Sequence, residues 1–328
     1  GTFRNLYVEI TAAPPGSGKS YTNTLLIDGV ATALTCTIAD LNQSASDTTH
    51  SVAITAGQNV TLRCVPSGSP AGNESLIALE FESAVATKQS AYAAHGATAV
   101  STSATGWNSP FSPGLAWNAT SGAACQNVVA AAGDITGIYL KLSVAPGASK
   151  SYTVNLYKDS GAGAVKQDGS GGTVDTTVTV TGTAVSGSAT FTLPVAAGDL
   201  VYAECVPAGT PASTRIALAT QFTATTDGQA QLCGTSTDTP STSVAQGIWP
   251  TVGGTDLWVS VVTSAAPTGV TTVTLSKWRI KLTAAPAAGK SYSTALLVDG
   301  SAPGGTPTVV IADAATTGAD LTNTLVLV

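Results

Sequence analysis

The sequence predicts an all-β chain of tandem antiparallel β-sandwich domains of jelly-roll type, incomplete at both chain ends. Three observations lead there. One short block recurs three times, its flanks alternate apolar and polar residues, and the composition favours sheets and turns. The 328 residues are 43% hydrophobic but only 10% charged, against about 25% in an ordinary globular protein. Thr and Val suit a pleated sheet, and 34 Gly and 16 Pro supply turns. No stretch sustains a 3.6-residue period of good helix formers, so helix is expected to be nearly absent.

The recurring block is Ala-Ala-Pro-Pro-Gly-Ser-Gly-Lys-Ser at 12–20, Val-Ala-Pro-Gly-Ala-Ser-Lys-Ser at 144–151 and Ala-Ala-Pro-Ala-Ala-Gly-Lys-Ser at 284–291. Lys19, Lys150 and Lys290 stand about 130 to 140 residues apart, the length of a whole domain rather than of a small solenoid repeat. Alternating stretches at 6–11, 138–143 and 278–283 precede the block and read as strands. A second strand follows it each time, and in the first copy this strand runs into the turn signal Asp28-Gly29. A further block at 56–71 matches 197–212 in order and spacing, with Cys64 and Cys205 at equivalent positions.

These blocks divide the chain into 1–86, 87–226 and 227–328. The middle repeat is whole, with strands expected at 89–94, 123–129, 135–144, 151–158, 174–181, 189–194, 200–206 and 215–222. Short strands at 8 to 12 residue spacing, parted by Gly, Pro and Asp turns, specify a sandwich. The first repeat lacks the strands that open the middle one, and the third lacks its closing strands.

Gly18-Lys19-Ser20 after a proline turn suggests a phosphate-binding loop, but that site needs a helix to begin at the lysine. Here a β-branched, alternating stretch follows instead. Ala13 stands where the opening glycine belongs, and Ser149 replaces the glycine before the lysine in the second copy. A loop between antiparallel strands accounts for all three copies, and no cofactor is expected.

A net charge of −6 and a pI near 4.7 leave no basic stripe, which excludes an electrostatic footprint for nucleic acid. No run of 18 apolar residues marks a membrane span. The chain opens on Gly1 and has no Met, so a removed leader or a longer parent polypeptide is expected.

Five cysteines leave one unpaired at least, and Cys205 with Cys233 is the bridge the spacing suggests, with free buried thiols as the alternative. No Cys-x-x-Cys or His cluster points to a metal site. Asp159, Asp168 and Asp175 around a Gly-rich loop are a calcium candidate, with a solvated turn as the plainer reading. His50 and His95 do not recur between repeats, and Glu80, Glu82 and Asp134 read as acids on polar strand faces rather than a glycosidase pair. No catalytic residue is assigned. Asn42, Asn59, Asn73 and Asn118 lie in glycosylation sequons, which arise easily in a Ser- and Thr-rich chain.

The Gly-Lys-Ser-Tyr block, the Leu-x-x-Asp-Gly turn, the stretch 46–57 and the Val-Pro-Ser-Gly-Ser-Pro-Ala turn resemble those of tandem jelly-roll repeat proteins of environmental phages and prokaryote cell surfaces. The resemblance covers most of the chain. It implies a β-sandwich in a structural, extracellular or virion setting and carries over no catalytic residue.

The expectation for function is a structural subunit that polymerises head to tail through strand edges left open at its two ends. The edge residues expected are Leu6, Tyr7, Val8 and Ile10 at one end and Leu325, Val326, Leu327 and Val328 at the other. Its partners would be copies of itself and cell-surface or virion components. The alternatives are a phage fibre or capsid decoration protein, a carbohydrate-binding array stacking sugars on Trp107, Trp117, Trp249 and Trp258, and a nucleotide-dependent enzyme built on Lys19.

Overall fold

The computed structural model describes residues 1–10, 17–71, 75–85, 89–95, 98–111, 117, 125–159, 174–230, 235–236, 242–243, 253–254, 273–298 and 301–327. Every regular element among them is a strand. Two compact units form, one built on Gly1–Ala86 and the other on Thr87–Ala265 with Thr274–Leu325.

The first unit runs β1 (Thr2–Ile10), β2 (Ser20–Ile27), β3 (Val30–Ala39), β4 (Ser44–Ala53), β5 (Val60–Ser67) and β6 (Ser75–Glu82). These make two antiparallel sheets, ordered β4-β1-β6 and β3-β2-β5. Alternation along β1 sends Leu6, Val8 and Ile10 inward, where they meet Leu25, Leu34, Cys36 and Ile38. Each large side chain buried this way contributes about 1.5–3 kcal/mol. Asp28 and Gly29 both take positive φ, 51° and 81°, the requirement of a two-residue turn whose twist matches the β2–β3 hairpin.

The second unit opens with β7 (Gln89–His95), β8 (Gly106–Asn108) and β9 (Asn127–Val128). It continues with β10 (Gly133–Leu142), β11 (Gly147–Asp159), β12 (Val174–Gly182), β13 (Ser186–Val195), β14 (Leu200–Ala208) and β15 (Ile216–Ala224). Its sheets are ordered β13-β10-β15-β7 and β12-β11-β14-β8, with β9 also on β14. The inner faces bury Ile138, Leu140, Tyr152, Val154, Ile216 and Leu218 in one cluster and Phe111, Val129, Ile135, Leu156 and Phe222 in another. Strands β10 to β15 thus repeat β1 to β6 in order and pairing, and β7, β8 and β9 add to the β15 and β14 edges.

One short pair follows, β16 (Thr235–Ser236) with β17 (Gly253–Gly254), then the third copy of the framework. That copy holds β18 (Val273–Lys281), β19 (Ala287–Ala295), β20 (Thr308–Asp313) and β21 (Thr317–Leu327). β18 pairs with β21 and β19 with β20, as β1 pairs with β4 and β2 with β3. Among the described residues no strand occupies the β5 or β6 position there.

The expected strands of the middle repeat are present except at 123–129, where the described strand is β9, two residues long. β8 was not expected at all. Its Gly-Trp-Asn sequence has no alternation to read, and pairing with Ala203, Glu204 and Cys205 creates it.

The two recurring blocks meet in space. Gly68 has φ +69°, and a Cβ there would lie 2.3 Å from the Gly18 carbonyl oxygen; its counterpart Gly209 has φ +72° and a nearest approach of 3.2 Å to Ser149 O. Tyr21 donates its hydroxyl proton to the Ala71 carbonyl, as Tyr152 does to Ala212 at 3.0 Å. Gly68→Ala is therefore expected to destabilise the first unit by about 1–3 kcal/mol, because it adds a side chain to a left-handed residue with no room for it. Hydrogen exchange of the β2 and β5 amides checks this, and unchanged protection would refute it.

Candidate functional site

The Gly-Lys-Ser turn is occupied by the protein itself. Gly18 N–H donates to Asp40 Oδ1 at 2.7 Å, and Gly289 N–H donates to Asp313 Oδ1 at 2.7 Å. A phosphate would have to displace these carboxylates, and strand β2 follows Lys19 where a phosphate loop has a helix. The second copy changes both partners together, with Ser149 at the glycine position and Gly182 at the aspartate position. Gly18, Ser149 and Gly289 all have positive φ, as do Asp40, Gly182 and Asp313, so the backbone path is kept although Gly182 offers no side-chain acceptor.

Asp47 anchors the start of a tight irregularity in β4. Its Oδ2 accepts from Thr35 N–H at 3.0 Å, its Oδ1 accepts from the N–H groups of Thr49 and His50 at 3.1 Å, and His50 Nδ1 lies 2.9 Å from Oδ2. Burial pushes this carboxyl up, but the backbone donors Thr35, Thr49 and His50 and the His50 side chain outweigh it and hold Asp47 well below the usual carboxylate range. Asp320 in β21 repeats the arrangement, accepting from Thr308, Thr322 and Asn323. Asn323 Nδ2 donates to Asp320 at 2.8 Å, in the place of His50. An asparagine makes the matching contact in the third copy, so the His50–Asp47 pair is read as a clamp on the backbone of β4.

A carboxyl whose folded pKa is depressed supplies stability that is complete above its unfolded value, about 3.9, and lost as pH falls toward the folded value. Asp47→Ala is expected to cost the first unit about 1 kcal/mol at neutral pH, since it leaves three part-buried backbone donors without their acceptor. It should also flatten the acid limb of that unit's stability below pH ~4. Denaturation of the first unit followed across pH 2–7 tests both parts, and an unchanged acid limb would refute the assignment.

The other polar candidates are likewise engaged in the fold. Glu80 accepts from Arg4 Nε and Nη2 at 2.9 and 2.6 Å, and Glu82 lies 3.1 Å from Arg4 Nη1, so both acids are tied to one cross-strand guanidinium. Asp134 belongs to the other unit, on β10. Glu204 is buried on β14, accepting from Tyr157 Oη and Asn155 Nδ2, each at 2.8 Å. Burial, reinforced by Glu204, holds the Tyr157 hydroxyl far above its ordinary range. Tyr157 stacks on Tyr202 at 5.0 Å beside Trp107 and Cys125. Trp107 and Trp117 are thus core residues, whereas Trp249 and Trp258 lie outside the described residues.

Cys36 and Cys205 are buried free thiols, Cys64 is an exposed one, and Cys125 is buried beside Trp107. Burial pushes Cys36 up to about 11 and Cys205 up to about 12. Cys233 lies outside the described residues, so its pairing with Cys205 is not assigned. Asp159 and Asp175 stand on β11 and β12, while Asp168, Asn73 and Asn118 also lie outside the described residues. Among the described residues no group of three or more potential ligands gathers for a metal, and no helix is long and apolar enough to cross a membrane.

What distinguishes the units is the state of the same two strands. β14 is buried on both faces over Leu200–Cys205, with Val201 and Ala203 fully enclosed. Its counterpart β5 is more open: Leu62 packs against the core, but Val60 is 39% and Val65 45% exposed, and Cys64 is exposed where Cys205 is buried. Ile77 on β6 is 43% exposed, while Leu218 at the same place on β15 is 1%. β7 and β8 make the difference, since they pair with β15 and β14 and no described strand pairs with the outer sides of β6 and β5.

The expected edge residues are therefore redistributed. β1 is the central strand of its sheet, and Leu6, Val8 and Ile10 are core residues with Tyr7 half-buried on the opposite face, which corrects the expectation that they form an edge. The reason is topological: β1 pairs with β4 on one side and with the returning β6 on the other, not with β2, its neighbour in sequence. Leu325 is buried, Val326 is 55% exposed and Leu327 is half-buried on β21, whose only described partner is β18. Val328 lies outside the described residues. No protein-family model and no curated protein matches the chain.

Proposed function

We propose that this chain is a non-enzymatic structural subunit of an extracellular assembly that polymerises head to tail into a surface filament or fibre by strand complementation. The observation that carries the reading is the contrast between β5 and β14: one framework, present twice, is sealed by extra strands in one copy and open in the other. Open edges with apolar side chains template strand addition, and main-chain hydrogen bonds then supply the affinity. At the other end, β19 is exposed along most of its length, where β11 buries alternate residues against its core. The burial of Trp107 and Trp117 favours this reading over a sugar-binding array, which needs exposed rings. Sedimentation velocity with negative-stain microscopy of the purified chain tests it. Concentration-dependent fibres are expected, and a monodisperse monomer throughout would sink the proposal.

A further inference from the structure

We propose that Arg279, with Lys281 beside it, forms an oxyanion site for a phosphate or sulfate group where β18 meets the turn between β13 and β14. The site lies within the second compact unit and stands whether or not the chain polymerises.

Positive charge is concentrated there. Lys277, Arg279 and Lys281 place three of the chain's 13 basic residues on one short strand, and the sequence has no acid between Asp256 and Asp299, although the net charge is −6. Arg279 and Lys281 are two apart on that strand, so they share a face and stand about 6.8 Å apart along it. In the matching position the first copy has Tyr7 and the second Tyr139, both half-buried, so the framework itself does not call for a cation.

Lys281 Nζ donates to Oε1 of the buried Gln126 at 2.7 Å, which sets this face of β18 against the residue before β9. Arg279 Nη1 reaches over Gly198, where an added Cβ would lie 3.5 Å from it. Arg279 Nε is buried and makes no hydrogen bond, and among the described residues no carboxylate pairs with this guanidinium. A buried donor on a permanently charged group is costly without an acceptor. Arg4 shows the ordinary solution, held by Glu80 and Glu82. The acids near Arg279 in the fold are committed to backbone instead: Asp199 Oδ2 accepts from Ala196 N–H at 2.8 Å, and Asp313 and Asp320 accept from Gly289 and Thr308 N–H. An oxyanion with two oxygens side by side satisfies Nε and one Nη together, and the Lys281 ammonium supplies the second positive charge that a doubly charged group needs. The bare Gly198 leaves the approach to Nη1 free of a side chain.

The experiment titrates the full-length chain with inorganic phosphate, sulfate and acetate by calorimetry at constant ionic strength. Phosphate and sulfate should bind, and acetate, with a single charge, should bind about tenfold more weakly. Arg279→Tyr, which gives this copy the residue of the other two, should weaken phosphate binding by about tenfold or more, and Arg279→Gln should do the same. Lys290→Gln removes one charge from the same copy at its Gly-Lys-Ser turn and should leave binding unchanged. Phosphate should also slow hydrogen exchange of the β18 amides in the wild-type chain and in neither Arg279 variant. Dextran sulfate that binds more tightly than free sulfate, per sulfate group, assigns the ligand to a polymer, whereas equal binding assigns it to the free ion, and either result supports the site. A wild-type chain that binds neither phosphate nor sulfate, or variants at Arg279 that bind as well as wild type, would overturn the proposal. An equal loss in Lys290→Gln would mean diffuse attraction only and would overturn it too.

Discussion

A chain carrying Val60→Lys and Val65→Lys together is expected to fold normally and to form no polymer. Both valines are substantially exposed, 39% and 45%, so their replacement should change the first unit's stability by no more than about 0.5 kcal/mol. Lysines on an edge strand are a usual device against strand addition, because an incoming strand would have to strip their ammonium groups of water. With one lysine directed to each face of β5, the acceptor is blocked from both sides. A loss of at least a hundredfold in the association constant, equivalent to about 2.7 kcal/mol, is the expected reading in sedimentation velocity. Fibres from this variant at wild-type concentrations would place the assembly surface elsewhere.

Phe222→Ala should be the most damaging of the core substitutions in the second unit, at about 3–5 kcal/mol. Phe222 is fully buried on β15, meets Phe111 edge-on at 6.5 Å and fills the space above Gly133, whose missing Cβ would lie 2.6 Å from the ring. Little around it can collapse into the void, since Gly133 is fixed by pairing with Ala224 and Val195. Its counterpart Phe81 on β6 is only half-buried and tilts against Phe3 at 5.2 Å, so Phe81→Ala should cost about 1–2 kcal/mol. Chemical denaturation followed by tryptophan fluorescence measures the first, since Trp107 and Trp117 are both buried in that unit. Equal costs for the two substitutions would mean that their cores are equally closed, contrary to the burial contrast on which the assembly reading depends.

Much of this fold is legible in the sequence because turns and alternation are local. Asp28-Gly29 places a hairpin, the Gly-Lys-Ser turns place the crossing between sheets, and the matching blocks at 56–71 and 197–212 place β5 and β14. What local patterns do not carry is which strand becomes an edge. Leu6, Val8 and Ile10 alternate as a half-buried strand does, whether it has one neighbour or two, and only the return of β6 to the other side of β1 makes it central. β8 eluded the sequence for a related reason, being three residues long and defined by its partner. The open site at Val60, Cys64 and Val65 was within reach, because equivalent strands in two repeats must differ in burial if one repeat lacks the strands that cover them.

Placing β7 against β15 has a consequence for how the chain is made. The pairing Thr223↔Gln89 joins residues far apart in the sequence, so the opening strand leaves the ribosome well before its partner exists. At about 5–20 residues per second, a wait of roughly 7 to 27 s separates the two. During that interval β6 presents an edge of the same kind to whatever strand arrives first. The first and second copies therefore each close last on the strand that was made first, so the order of synthesis leaves that strand waiting longest for its partner.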